Sequence, residues 1–511
     1  MQPLPTLSRA LACSPDFQRR TDVLPPVPAH LDLPEKAVQF GTGAFLRGFV
    51  EYFLDEANRR GRFGGRVVAV GSTGSGRDQV LNEQGGLYTL STAGVEAGAP
   101  RQAHRVIASL SRALSAAAAW NDVLACARNP ALELVFSNTT EVGIALDEGD
   151  DPTLAPPRSF PGKLARFLHE RAVTFDYDRA RGVVVLPCEL VEDNGDRLRE
   201  IVLAIGRRWG LGDAFARWVE AAVPFPNTLV DRIVPGAPSG EQAERLLATL
   251  RYRDALLTTC EVYRLFAIEG GDALRGRLPF ADADLGIVVA EDITAYRERK
   301  VHLLNGAHTL MAPVALLAGC ETVLDAVRHE TVGHFIRRAT LDEIAPGLGV
   351  PFAHAYARDV LDRFANPYVR HALIDITLHG TTKMRVRVVP SVVRYAERTG
   401  RAPASLAFGF AAYLLFTRGA LQEERRRAGL HVPPDDRAER VRAAWASLGG
   451  HDDAALAELV YAVCSDGSLW GADLTALPGF ADAVLEHLGR MARAGVPAAL
   501  DAHLAAAASS G

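Results

Sequence analysis

The sequence predicts an α/β protein in two parts: an N-terminal domain on a mostly parallel, doubly wound sheet, then a mainly α-helical domain. Short apolar runs alternate with amphipathic helical stretches up to about residue 290. A strand, a glycine turn and a helix open this alternation. From about Glu291 the texture changes to long Ala- and Leu-rich helical stretches. The domains expected are therefore residues 1–290 and 291–511, and a chain of 511 residues is in any case too long for one ordinary core.

After a Pro-rich lead-in, "KAVQFGTGAFLRGFVEYFLDEANRRGRFGGRVVAVGS" reads as strand, tight turn, helix and second strand. Phe45, Phe49, Phe53 and Ala57 recur every four residues, so they form one stripe of the helix while Glu51, Asp55 and Arg59 fall on other faces. "LELVFSNTT" and "GVVVLPCEL" are further β-rich runs bounded by turn or helix signals. In the second domain the helical stretches include "VHLLNGAHTLMAPVALLAG", "PYVRHALIDITLHG", "SLAFGFAAYLLFTRGALQEERRRAG" and "ALAELVYAVC".

Hydrophobic residues make up 48% of the chain, charged residues 23%, and the net charge is -5. That balance belongs to a soluble globular protein and supplies no cationic surplus for a polyanion, so nucleic acid is not an expected partner. The six cysteines lie far apart without a C-x-x-C pair, which fits a reducing cytoplasm. The N-terminal stretch makes a poor signal peptide. No uninterrupted apolar run approaches the roughly 18 residues of a membrane span, so no membrane partner is expected.

In "QFGTGAFLRGF", Gly41 and Gly43 stand at the strand-to-helix turn. There one glycine permits the turn and the other lets backbone approach a pyrophosphate at the helix N-terminus. The third fingerprint position is Leu46, so an ordinary glycine-rich turn is the competing reading. The second strand runs into "VGSTGSGR" without the carboxylate that holds an NAD ribose. Ser72, Thr73 or Ser75 can bond a ribose hydroxyl instead, while Arg77 would favour the extra phosphate of NADP, so NAD is expected and NADP stays open. The same stretch lacks the Lys and Ser or Thr of a phosphate loop, which disfavours a nucleotide triphosphatase. "FSNTTEVGI" places Asn138, Thr139 and Glu141 at a strand's carboxyl end, where they either face a ligand or cap the turn.

The decapeptide "KVHLLNGAHT" sets Lys300, Asn305 and His308 among aliphatic residues. On an ideal α-helix Asn305 and His308 share a face, whereas Lys300 stands roughly 140° from Asn305. Convergence then needs a long Lys side chain or a helix that begins after Lys300. Beside a nicotinamide the three would divide the work. Asn305 would donate to the substrate oxygen without titrating, Lys300 would give and take the proton, and His308 would orient the substrate. Among the histidines, His329 and His334 are five apart rather than the four of a zinc-binding helix, and His371 and His379 lack an obvious third ligand, so no metal is predicted.

Together "QFGTGAFLRGF", "FSNTTEVGI", "FPNTLVDRIVPG", "KVHLLNGAHTLMAPVALLAG" and "FANPYVRHALIDITLHGTTKMRVRVVPS" resemble the mannitol dehydrogenase family of metal-independent long-chain polyol dehydrogenases. The likeness is greatest to its altronate oxidoreductase (tagaturonate reductase) branch and spans about residues 36 to 395. It implies a Rossmann-type domain, a helical C-terminal domain and an active site in the cleft between them. It also implies that Lys300 is the acid/base, that Asn305 polarises the substrate oxygen, that His308 binds substrate, and that Asp231 and Lys383 line the substrate site. On this reading Gly41, Gly43, Phe45, Arg47, Ser72, Asn138, Thr139 and Glu141 form the cofactor site.

Two departures weigh against a mannitol substrate. Leu190 stands where polyol members carry a second Asn, for which Asn194 is the expected substitute, and Asp375 stands where they carry an Arg. A hexuronate adds a carboxylate that calls for a fixed cation. Lys383, Arg385 and Arg387 alternate in "KMRVRV" and would share one face of a strand, which nominates Lys383 and Arg387. The expected activity is thus the NAD(H)-dependent interconversion of D-tagaturonate and D-altronate by a cytoplasmic monomer or small homo-oligomer. Fructuronate reduction and mannitol or polyol 2-dehydrogenation are the alternatives within the same chemistry. A catalytically silent dinucleotide-binding regulator is the alternative of another class.

Overall fold

The computed structural model describes residues 4–72, 76–139, 143–435, 437–450 and 452–508. The chain forms two compact units, one of Met1–Ala93 with Arg101–Ile293 and one of Gly94–Pro100 with Thr294–Gly511.

Eleven strands are described: β1 Glu35–Phe40, β2 Arg66–Gly71, β3 Tyr88–Glu96, β4 Ala99–Ile107, β5 Leu110–Ser115, β6 Leu134–Ser137, β7 Val184–Pro187, β8 Thr228–Asp231, β9 Thr258–Cys260, β10 Leu265–Glu269 and β11 Ile287–Ala290. The central sheet runs β5-β2-β1-β6-β7, and every neighbouring pair in it is parallel. Its strands are apolar on both faces, as a sheet covered on two sides must be. Ala37, Val67, Ala69, Phe136 and Leu186 enter the core on one face, and Val38, Phe40, Val68, Val70 and Val135 enter it on the other. Two three-stranded sheets, β11-β10-β8 and β4-β3-β9, complete the strands of this unit.

The aromatic stripe after the glycine turn is buried, but it lies on two helices rather than one. Ala44–Gly48 and Val50–Arg59 are separated at Phe49, whose φ of -127° and ψ of -78° leave the helical region. The stripe survives the break. Phe45 stacks on Phe49 at 5.0 Å, and Phe49 meets Phe53 edge-on at 5.1 Å.

The second unit is mainly helical. Its central helix, Ala404–Thr417, is buried around nearly its whole circumference and packs on the long C-terminal helix Phe480–Ala508. Three π-helical turns interrupt its helices, at Lys300–Gly306, Ala339–Ile344 and Met384–Val388. The last corrects the strand expected for "KMRVRV". Residues 380–399 are continuously helical, so Lys383 and Arg387 are presented from one helical turn to the next and not along a pleat. Buried Met384 and Val388, four residues apart, explain why the helix wins. Among the described residues no single helix is long and apolar enough to cross a membrane.

Candidate active site

In the first unit the glycine turn follows β1 directly. Gly41 has φ of +135°, and a Cβ there would lie 3.0 Å from Leu46 and 3.2 Å from the Asn138 carbonyl oxygen, so only glycine fits. Gly43, by contrast, has an ordinary φ of -68° and open space within 4 Å of the site of a Cβ. Bare backbone facing open space at a βα turn fits a dinucleotide pyrophosphate. The close-packing role of a third fingerprint glycine has moved two residues on. At Gly48 a Cβ would meet Val234 at 2.6 Å, whereas Leu46 is buried in the core.

The other expected cofactor residues divide by what already holds them. Phe45 is half-buried on the aromatic stripe, and Ser72 is exposed just beyond β2. The buried Arg47 guanidinium donates to the Thr42 carbonyl at 2.6 Å and to the Thr258 hydroxyl at 3.2 Å, so it braces the glycine turn from within. Asn138 donates to the Cys188 carbonyl at 2.7 Å, while the Thr139 backbone N–H and hydroxyl donate to Glu189 at 2.9 and 3.0 Å. These contacts tie the ends of β6 and β7 together. Ser137 adds a third bond to Glu189, yet burial raises that carboxyl's pKa. Thr73, Ser75 and Glu141 lie outside the described residues.

Asp231 is buried at the end of β8. Asn194, expected as an oxyanion donor, is already bonded within the protein. It is fully buried, the two hydrogens of its amide nitrogen are shared among the Pro187, Glu189 and Thr228 carbonyls and the Thr228 hydroxyl, and its oxygen accepts the Thr228 N–H at 2.9 Å. Both of its N–H groups are thus directed at acceptors on and beside β7 and β8.

In the second unit Lys300 and Asn305 lie on the same π turn. In such a turn the backbone bonds run from i to i+5, so the wider loop brings residues five apart toward one face, which an ideal α-helix does not. The Thr309 hydroxyl donates to the Asn305 carbonyl at 2.7 Å, giving that acceptor a partner where the helical ladder is disturbed. His308 follows in the α-helix Ala307–Leu317, with its ring 4.2 Å from Phe364 and 4.9 Å from His371. Lys300, Asn305 and His308 are all half-buried.

A cationic environment surrounds His308. Its pKa lies well below the usual histidine value, first because of burial and then because His371, when protonated, and the cations Arg363, Arg387 and Lys383 stand near it. Burial also lowers Arg387, and burial together with Arg387 lowers Lys383, whose ammonium donates to the Ile376 carbonyl at 2.9 Å. Among the described residues the side chains of Asn305, His308 and Arg387 have no hydrogen-bond partner, so three polar groups on adjoining turns stand ready for a ligand. Sequence reasoning missed Arg363, and it weighed His371 only as a metal ligand. Nothing in the pattern of "AHAYARDVLDRF" separates Arg363 from the neighbouring arginines. Among the described residues no group of three or more His, Cys, Asp or Glu side chains is placed to hold a metal.

A parallel sheet with an open glycine turn, together with a lysine–asparagine–histidine turn, belongs to a dehydrogenase acting on a CH–OH group. The chain belongs to the mannitol dehydrogenase family: the mannitol dehydrogenase Rossmann domain matches residues 35–281 and the mannitol dehydrogenase C-terminal domain matches residues 292–492. It is 40% identical to altronate oxidoreductase of Bacillus subtilis over 468 residues, covering 92% of this chain and 95% of the relative. It is likewise 40% identical to altronate oxidoreductase of Yersinia pestis over 476 residues, covering 92% and 97%. The fold is shared with D-sorbitol dehydrogenase in its substrate-free form (TM-score 0.74, 24% identity, 94% of this chain and 98% of that one). It is shared too with the Pseudomonas fluorescens mannitol 2-dehydrogenase ternary complex with NAD and D-mannitol (TM-score 0.65, 23% identity, 98% and 99%). The chain is thus a dehydrogenase of polyols or sugar acids.

Proposed function

We propose that the chain catalyses the NAD(H)-dependent interconversion of D-tagaturonate and D-altronate. The observation that carries this reading is the set of unpartnered Asn305, His308 and Arg387 side chains beside Lys383, a half-buried patch whose surplus of positive charge suits a sugar acid better than a neutral polyol. Relatives at 40% identity named altronate oxidoreductase support it.

In this reading the backbone at Gly41 and Gly43 would take the pyrophosphate and Ser72 a ribose hydroxyl. NAD(H) supplies the hydride. As the ketone is reduced, negative charge grows on its oxygen. Asn305 meets that charge with an amide N–H and Lys300 delivers the proton, then withdraws it in the oxidative direction. His308, held neutral, bonds a substrate hydroxyl without adding charge. Arg387 and Lys383 pair with the carboxylate, and Asp231 completes the substrate contacts. Phe45, Asn138, Thr139 and Glu141 are the remaining residues proposed on the cofactor side.

The test is a panel of tagaturonate, fructuronate and fructose, each run with NADH and with NADPH and followed by nicotinamide absorbance. The reading expects tagaturonate with NADH to give the highest kcat/KM. A higher value for fructuronate or fructose would reassign the substrate, and preference for NADPH would reassign the cofactor.

A further inference from the structure

We infer that His302 is a positioning residue for the reaction, fastening the π turn that carries Lys300 and Asn305 to the π turn that carries Arg387. His302 lies in the middle of Lys300–Gly306, is only 4% exposed, and sits two residues beyond Lys300, on a different face of the helix. Its Nδ1 is 2.9 Å from the Arg387 backbone carbonyl. A carbonyl only accepts, so Nδ1 carries the proton and donates it. On the far edge of the ring, Nε2 lies 3.5 Å from Glu298, and Glu298 is itself paired with Arg394 on the helix Val389–Thr399.

A second contact converges on the same carbonyl. A Cβ on Gly306 would lie 3.0 Å from the Arg387 oxygen, so the absence of a side chain lets the two turns close on each other. The carbonyl of the residue proposed to hold the substrate's carboxylate is therefore bonded by the middle of the turn bearing the proposed proton donor and closely approached by its C-terminal end. Sliding one turn against the other would change the distance between the two ends of the substrate site, and a misplacement of about 1 Å can cost about 10²-fold in rate.

The inference rests on the proton-transfer role proposed for Lys300, and the two fail differently. The enzyme is assayed as the full chain with NADH and the best sugar acid of the panel. His302→Leu removes the donor and should lower kcat about 10- to 100-fold, with KM and the dissociation constant for NADH within about twofold of the parent. His302→Asn returns an N–H near the Nδ1 position and should recover most of kcat, whereas His302→Gln, whose donor reaches toward the Nε2 side, should not. Should His302→Leu fail to fold, Gly306→Ala carries the test, because a methyl there forces the turns apart and should also lower kcat with KM little changed. Unchanged kcat in the Leu variant, or equal losses in the Leu and Asn variants, overturns the inference while Lys300→Ala still abolishes turnover. Retained turnover in Lys300→Ala overturns the underlying reading instead.

Discussion

The imidazoles of His308 and His371 stand 4.9 Å apart between centroids at an interplanar angle of 69°, and burial and positive neighbours lower the pKa of both. Because the folded values lie below the ordinary 6.5, both rings are neutral through the neutral range. Protonation of these two rings should therefore not limit substrate binding at neutral pH. His371→Leu removes one positive neighbour and should move the His308 titration upward, which an imidazole NMR titration would detect. An unmoved His308 would mean that the His371 charge plays no part in its low pKa.

Lys300→Ala should reduce kcat about 10²- to 10⁴-fold, the range expected for loss of a positioned acid/base. The dissociation constant for NADH, measured by fluorescence titration, should stay within about twofold. Equal loss of turnover and cofactor binding would show that the lysine supports the fold or the cofactor rather than the proton.

Arg387 separates sugar acids from polyols in a measurable way. Its half-buried guanidinium has no side-chain partner among the described residues, so an anion that reaches it gains a charge-assisted bond worth about 1.5–3 kcal/mol. Arg387→Met should raise KM for a hexuronate about 10- to 100-fold and leave KM for a neutral ketose nearly unchanged. A parallel rise for both substrates would place the arginine in general packing.

These residues were legible in the sequence to different depths. The βαβ unit and the parallel sheet follow from the period of apolar residues, and the spacing of Lys300, Asn305 and His308 marks them as a set. The π turn itself leaves no mark in a pattern read at 3.6 residues per turn, so the position of Lys300 relative to Asn305 emerges only from the folded backbone. "KMRVRV" has the alternation of a strand, but packing of Met384 and Val388 overrides β propensity. Asn194 shows a further limit. Residue type and the position after a strand suggest a donor, and only burial shows that the amide is already bonded within the protein.

The two glycines of the first turn should respond in opposite ways. Gly41→Ala meets Leu46 and the Asn138 carbonyl at a φ of +135°, so it should destabilise the chain by about 1–3 kcal/mol and lower its thermal midpoint. Gly43→Ala adds a methyl to open space at an ordinary φ and should leave the midpoint unchanged. If the pyrophosphate lies over Gly43, that methyl should still weaken NADH binding. A stable Gly43→Ala protein with undiminished affinity would remove the turn from the cofactor site.

The second unit should lose stability in acid through one buried pair. His487 and His503 stand 5.1 Å apart in its core; burial and Arg490 lower His487 to about 4, and burial, His487, Arg338 and Arg490 lower His503 to about 4. Their unfolded counterparts titrate near 6.5, so as pH falls the unfolded chain takes up protons first. The stabilisation is complete above about pH 6.5 and disappears progressively down to about pH 4, on the order of 3 kcal/mol for each ring. Glu343 opposes this in nearly the same window. Burial raises it to about 7 although it accepts the Ser405 and Leu406 N–H groups at 2.7 and 2.8 Å, so falling pH favours its folded, protonated form. One carboxyl offsets about one ring, which leaves a net loss of about one ring's worth. Urea midpoints measured from pH 7 to pH 4 should therefore fall in the parent and fall less in His487→Leu/His503→Leu, where the lowered His308 and His371 keep part of the acid sensitivity. A parallel decline in both proteins would trace acid sensitivity to other groups.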